Sequence, residues 1–337
     1  MATTLRDVAT AAGVHPGTAS RAMNPETEHL VNPATARRII KVAHSLGYVA
    51  NPLARGLKTN RTLSLGFIVP DITNPLFPPM IRGFEDVVSE QGYSAITANT
   101  DNDPERQRQQ IAAMRSRRID GLALATAVLD HGADEQDAVA GIPAVHVNRV
   151  DPTQHLSSVA SDDQSGIRQA VAHLRALGHR RVAHIAGPQG TSTGVARSRA
   201  FRHEMRDAGL DADERLILSA QHYTIEQGTE LTNALLEQGE DFTAVVAAND
   251  LLALGCCDAL FARGLRCPED VSVVGFNDMP FVDRVSPALT TVHVPHYELG
   301  AEAGRSLLSQ IAAPDRKATS VLLPVTLVVR GSTAPPH

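Results

Sequence analysis

Polar side chains gather at the ends of short apolar runs in this 337-residue chain: Pro70-Asp71-Ile-Thr-Asn74-Pro-Leu-Phe77, Asn148-Arg149, Gly187 to Arg197, Asn249-Asp250 and Asn277-Asp278. In an open α/β sheet ligands collect at the carboxyl ends of strands, so these residues form a candidate pocket. Amides, carboxylates and arginine suit a polyhydroxylated ligand, because they meet hydroxyl groups as donors and acceptors in pairs. Phe77 and Tyr223 offer aromatic faces to the apolar side of a sugar ring. The same residue types also cap helices and close Asx turns, a simpler role that Asp250 and Asp278 fit equally well. Arg199, two residues from Arg197, competes with it for the pocket.

Catalysis and metal binding find little support. No nucleophile elbow is expected, and neither His-Glu-x-x-His nor Gly-x-x-x-x-Gly-Lys occurs. The glycine-rich stretch Gly187 to Gly194 lacks the lysine of a phosphate cradle and reads as a loop bordering the pocket. His293-x-x-His296 and Cys256-Cys257 have no further ligands at metal-site spacing. Three cysteines form no disulfide framework, which points to a reducing cytoplasm. The amino terminus shows no basic leader followed by an apolar core, and no apolar stretch approaches the length of a membrane span. No metal or cofactor is expected.

Charge divides the chain. Residues 1–61 carry eight Arg or Lys against three Asp or Glu, a net of +5, which leaves −11 of the total −6 for the remainder. A basic head on an acidic body is the footprint of a polyanion-binding module attached to something else.

The head must be helical. Thr4-Leu-Arg-Asp7 has the form of a capping box, and Leu5, Val8, Ala9 and Ala12 then share one helical face until Gly13. Pro16 suits a first turn, Thr18 to Met23 continues as a second helix, and its small residues permit close packing. Asn32 and Pro33 announce a third helix that runs to Leu46 and stops at Gly47. Two short helices around a glycine turn suggest helix-turn-helix. Beyond them, residues 49–61 read as a linker able to form one short helix.

The body alternates buried-strand runs with helical segments. The runs are Leu63–Val69, Tyr93–Ala98, Gly121–Ala125 and Ala144–Val147, then Val182–Ala186, Leu216–Leu218, Ala244–Ala248 and Val271–Phe276. Two similar doubly wound parallel sheets follow from this pattern. Thr290–Val294 and Val321–Val329 come late and would cross back between the halves.

Three groups of residues in the head and linker resemble the LacI/GalR family of bacterial transcription regulators. They are Thr4-Leu-Arg-Asp-Val-Ala-x-x-Ala-Gly-Val, Thr18-Ala-Ser-Arg-Ala-Met-Asn24 and Leu46-Gly-Tyr-x-x-Asn51-Pro-Leu-Ala-Arg-x-Leu57. Val69-Pro-Asp-Ile-x-Asn-Pro, Leu177-Gly-His-x-x-Val, Ala248-Asn-Asp, Val274-Gly-Phe-Asn-Asp and Ser286-Pro-x-Leu-Thr-Thr-Val extend the resemblance to about residues 3–332. It implies an α/β fold: a three-helix headpiece and hinge, then a bilobed, periplasmic-binding-protein-like (type I) effector domain. The implied divisions are 1–48, headpiece; 49–61, hinge; 62–162 with 291–322, first subdomain; and 163–290 with 323–332, second subdomain.

By the same resemblance His15, Pro16, Gly17 and Arg21 face bases, and arginine is the commonest reader of guanine. Thr4, Leu5, Thr18, Ser20, Asn24, Asn32, Thr35, Tyr48 and Asn51 join the DNA contacts, several of them as donors to phosphates. Leu57 is an apolar minor-groove wedge, with Ala54 and Arg55 beside it. The effector residues implied are Asp71, Asn74, Phe77, Asn148, Arg197, Tyr223, Asn249 and Asn277. Two departures stand out: His-Pro-Gly at 15–17, which makes direct base readout sparse, and Asn at 148 and 277, where family members often carry Asp. A neutral or anionic sugar tolerates that loss of carboxylates and a cationic ligand does not.

The expected protein is therefore a cytoplasmic, homodimeric transcription regulator, a repressor of carbohydrate-related genes, controlled by a small sugar-like effector and bound to near-palindromic operator DNA. It is not expected to be an enzyme. A transport-system solute-binding protein shares the body but not the basic head; an enzyme on the same fold would have to turn over a sugar.

Overall fold

The computed structural model describes residues 3–24, 27–48, 61–129, 132–150, 155–210 and 213–337. The expected hinge residues Asn51, Ala54, Arg55 and Leu57 lie outside them. The described chain separates into two units, residues 1–62 and 63–337.

In the first unit Thr4 caps α1 (Leu5–Ala11). Its hydroxyl accepts from the Asp7 N–H, and the Asp7 carboxylate takes the Thr4 N–H at 2.8 Å. The Thr4 N–H and hydroxyl, both donating to the Asp7 carboxylate, hold it below the usual carboxylate range, the backbone contributing most. Gly13, at φ +65°, turns the chain where a side chain would be strained. α2 (Pro16–Ala22) follows, then α3 (Pro33–Ser45), capped by Asn32 through the Ala34 N–H at 2.9 Å. Val8, Ala9, Ala12, Ala19, Ala22, Val31, Ala36, Ile39 and Ala43 make the core. Six of the nine are alanine, so the helices approach closely around the larger Val8, Val31 and Ile39.

The second unit holds two six-stranded sheets. The first comprises β1 (Ser64–Val69), β2 (Ser94–Asn99), β3 (Gly121–Leu124), β4 (Ala144–Val147), β5 (Ser157–Ser161) and β11 (Ser320–Leu323), in the order β11-β5-β4-β3-β1-β2. The second comprises β6 (Val182–Ala186), β7 (Ile217–Ser219), β8 (Ala244–Ala247), β9 (Ser272–Asn277), β10 (Thr290–His293) and β12 (Thr326–Val328), in the order β12-β10-β9-β8-β6-β7. Apart from the antiparallel pair β10–β12, all pairings are parallel. The two orders are the same doubly wound order repeated. Each leaves a crevice at the carboxyl ends of its first and third strands, where the winding reverses.

Helices cover both sheets: α4 (Phe77–Glu90), α5 (Pro104–Ser116), α6 (Gly132–Val139) and α11 (His296–Ala312) on the first, and α7 (Asp163–Leu177), α8 (Ser192–Asp207), α9 (Ile225–Glu237) and α10 (Asp250–Ala262) on the second. Phe67 of β1 meets Phe84 of α4 edge to face, with centroids 5.0 Å apart. Each buries a side chain worth about 2 kcal/mol. Two helix pairs cross at glycines. A Cβ on Gly300 would stand 1.7 Å from the Met80 carbonyl oxygen, and one on Gly255 2.1 Å from that of Ile225.

The chain passes between the sheets three times: after β5, after β10 and after β11. Three features differ from the sequence expectation. β5, Ser-Ser-Val-Ala-Ser, is a fully buried strand that no apolar run announces, because serine partners replace apolar contacts. Ser158 meets Ser320 at 2.7 Å, and Ser157 Oγ accepts from the Thr319 N–H at 3.0 Å. The run Val321–Val329 is two strands in different sheets, broken at Pro324, which has no N–H to give a ladder. β10 pairs with β9, so residues 291–293 belong to the second sheet and not, as expected, to the first.

Candidate functional site

A cavity of about 550 Å³ lies where the carboxyl ends of the two sheets face each other. Asp71, Asn74 and Phe77 follow β1 on its wall, Asn148 follows β4, Arg197 lies on α8, Tyr223 follows β7, Asn249 follows β8, and Asn277 ends β9. All eight expected effector residues thus line one space. Asp101 and Asn102 after β2, Thr191 and Thr193 at the start of α8, and Gln221 and His222 after β7 line it too. Thr191 and Thr193 fall within the stretch Gly187 to Arg197 expected to border the pocket, whereas Asp101, Asn102, Gln221 and His222 were not expected there; their signal is position, since each pair closely follows a strand.

Arg197 is 2% exposed and over-determined. Its Nε donates to Asp163 Oδ1 at 3.0 Å, and its Nη1 to the Ala248 carbonyl at 2.7 Å and Asn277 Oδ1 at 3.5 Å. The guanidinium lies over the Phe276 ring, 3.8 Å from its centroid. Burial raises the Asp163 carboxyl while Arg197 opposes it. Arg199 is exposed, so the choice between the two arginines falls to Arg197.

Asn249 caps α10, its Oδ1 accepting from the Leu252 N–H at 2.9 Å, and also lines the cavity. Asn148 and Asn277 both hold positive φ, +66° and +116°, a conformation that asparagine tolerates better than most residues. Asp71 and Asn74 make Asx-type bonds at the rim, to the Thr73 and Leu76 N–H groups. Tyr223 stands close over Gly187, where a Cβ would meet its hydroxyl at 2.2 Å; that hydroxyl lies 3.2 Å from Thr193 Oγ1.

Asp250 and Asp278 take the simpler role. Asp250 is fully buried and accepts from Thr291 Oγ1 and from the Met279 N–H at 2.7 Å; burial pushes its carboxyl up to about 7. Asp278 pairs with Arg330 at 2.7 Å and His293 at 3.1 Å.

One expectation needs correction: Gly190-Thr-Ser192-Thr-Gly194 does carry the Gly-x-Ser-x-Gly spacing of a nucleophile elbow. Ser192 Oγ, however, accepts from the Val150 N–H at 2.9 Å, and among the described residues no imidazole hydrogen-bonds to it. Among the described residues no general base stands on Ser192.

In the first unit His15 caps α2, its Nδ1 accepting from the Gly17 N–H at 3.1 Å. That nitrogen is therefore unprotonated, and the ring presents Nε2–H outward as a donor. Gly17 suits this cap, since a Cβ there would press on His15 Nδ1 at 3.2 Å. Arg21 is exposed one turn further along, while Pro16, Thr18 and Ser20 are half-buried. Thr4 and Asn32 spend a side-chain oxygen on caps, Leu5 and Tyr48 pack on the helical core, and Asn24 and Thr35 are half-buried.

A helix-turn-helix unit joined to a two-sheet body with a walled polar cavity defines a ligand-responsive DNA-binding regulator. Residues 4–51 match the model of bacterial regulatory proteins of the lacI family, and residues 171–333 that of the periplasmic binding protein-like domain. The ribose operon repressor of Halalkalibacterium halodurans is 33% identical over 98% of this chain and 97% of its own. Among solved structures, a transcriptional regulator CelR–cellobiose complex is 31% identical with a TM-score of 0.75, over 98% of this chain and 99% of that one. The lac repressor dimer bound to operator and the anti-inducer ONPF is 26% identical with a TM-score of 0.90, over 99% and 100%. The chain belongs to the lacI family of bacterial regulatory proteins. It is a sequence-specific DNA-binding transcription regulator and not an enzyme.

Proposed function

We propose that this protein represses carbohydrate-related genes from the cytoplasm as a homodimer, and that a sugar or sugar derivative held in the 550 Å³ cavity sets its affinity for operator DNA. The observation that carries the reading is the cavity itself, whose amides, hydroxyls and buried Arg197 alternate donors and acceptors around a volume suited to a mono- or disaccharide. The similarity to a ribose operon repressor and to a regulator solved in complex with cellobiose supports the class of ligand. In this reading Asp71, Asn74, Asn148, Arg197, Asn249 and Asn277 bind the effector's polar groups, and Phe77 and Tyr223 cover its ring.

On the DNA side, Arg21 and the outward Nε2–H of His15 read base edges beside Pro16 and Gly17, while Thr4, Leu5, Thr18, Ser20, Asn24, Asn32, Thr35, Tyr48 and Asn51 position the backbone. Leu57, with Ala54 and Arg55, wedges the minor groove. One headpiece reads a half-site, so a dimer on a near-palindrome follows. The effector acts by preferring one arrangement of the two sheets, since only a difference in affinity between two states can shift their balance.

Sequencing the genomic fragments retained by the full chain at near-physiological salt tests this, because low salt lets phosphate contacts mask specificity. The expected result is an enriched near-palindrome beside carbohydrate genes, with retention altered by a sugar. No enrichment, with or without a sugar panel, refutes it.

A further inference from the structure

Arg149, the residue after Asn148, reaches into the cavity from the end of β4 and is 6% exposed. Among the described residues its guanidinium meets no carboxylate. Its Nη1 and Nη2 both donate to Asn102 Oδ1 at 3.3 Å, a neutral amide oxygen. Arg197, the cavity's other buried guanidinium, is balanced by Asp163. The two carboxylates on the wall are committed elsewhere, Asp71 to the N–H and hydroxyl of Thr73 and Asp101 to Arg106 and Asn99. Where Asn148 and Asn277 stand, the strand ends supply amides and no charge.

Among the described residues, the inner wall therefore holds one buried cation, Arg149, without a carboxylate partner. A guanidinium does not shed its proton in a protein, so it cannot escape the cost of burial by becoming neutral. Burial does push its pKa below the ordinary value, with the Tyr223 phenol opposing. Two long helices also begin at this wall. α8 starts beside Thr191 and Thr193, and α10 is capped by Asn249, so two positive helix ends add to the charge of Arg149. The planar fork of an arginine matches a carboxylate or a phosphate with two parallel bonds.

We propose that the effector is an anionic sugar derivative whose carboxylate or phosphate group lies on Arg149 while its hydroxyls take the amides of the wall. This rests on the sugar reading above and narrows it to one charge class.

The test is titration calorimetry on the full chain with glucose, galactose and ribose, each beside its aldonate and its terminal phosphate ester, and with inorganic phosphate alone. At least one anionic member should bind about tenfold or more tighter than its neutral parent. The arm that shows the gain distinguishes carboxylate from phosphate. Arg149→Gln should bring the ratio close to one, and Arg149→Lys, which keeps the charge but loses the planar fork, should retain part of it. Neutral parents binding as tightly as their anions, a preference that survives Arg149→Gln, or inorganic phosphate binding as well as the sugar phosphate would each overturn the proposal. If neutral sugars bind without an anionic preference, only the charge assignment falls. If no member binds up to about 10 mM, the sugar reading falls with it.

Discussion

Arg21 and His15 differ in how freely they meet a base. His15 is committed through Nδ1 to the Gly17 N–H, whereas the Arg21 side chain is exposed on α2. Arg21→Ala should therefore weaken specific operator binding by about 1–3 kcal/mol while leaving effector affinity unchanged, as fluorescence anisotropy and calorimetry on the same preparation would show. Loss of effector binding in that variant would contradict the division of labour. Asp250 makes a different prediction. Its folded pKa of about 7 lies above the unfolded carboxylate value, so the native state holds the extra proton between about pH 4 and 7. Its contribution to stability is fully present below the unfolded value and is lost as pH rises through 7, at a cost on the order of 4 kcal/mol. His184 and His296, each depressed to about 4 by burial, act in the opposite sense, favouring the fold as pH rises from about 4 to 6.5. Comparing Asp250→Asn with the parent isolates the aspartate. The melting-temperature difference, variant minus parent, should become more positive from pH 5 to pH 8, and a constant difference would show that Asp250 does not titrate there.

At the scale of elements, α4 and α11 pack with backbone almost touching backbone at Gly300 and Gly83, where a Cβ would come within 1.7 and 2.0 Å of a carbonyl oxygen. Neither carbonyl belongs to a flexible side chain, so the helices must separate to admit a methyl group. Gly300→Ala should cost about 1–3 kcal/mol in chemical denaturation through overpacking, despite alanine's better helix propensity. A stabilised Gly300→Ala variant would show that the two helices can slide apart freely. The broken run at Pro324 belongs to this scale as well. A residue without an N–H ends β11 in one sheet and frees Thr326–Val328 to pair as β12 in the other, which makes it part of the crossing between them.

On the scale of the molecule, the headpiece and the body have separate cores, the nine residues around Ile39 and the large clusters of residues 63–337. Each buries its own apolar surface. Residues 63–337 alone should keep effector affinity within about twofold of the full chain and lose operator binding altogether. A large fall in effector affinity would mean that the head helps to build the cavity. The basic head and acidic body divide charge along the same boundary, which favours approach to DNA by the end that reads it.

Local chemistry was legible in the amino-acid sequence: the Thr4 and Asn32 caps, Pro16 and Pro33 at first turns, Gly13 and Gly47 as stops, and the strand ends that carry the eight cavity residues. These follow from capping, backbone freedom and apolar periodicity, which act over a few residues. Nine of the expected runs fall on observed strands to within one residue at either end. What the sequence could not disclose depends on partners distant along the chain. The serine strand β5 is buried because Ser320 and Thr319 meet it from 162 residues away. β10 joins the second sheet because β9 lies open beside it. Arg197 and Arg149 look alike in sequence, yet Asp163 neutralises one while, among the described residues, the other donates to an amide oxygen and meets no carboxylate. Charge compensation depends on distance through space, and folding alone sets that distance.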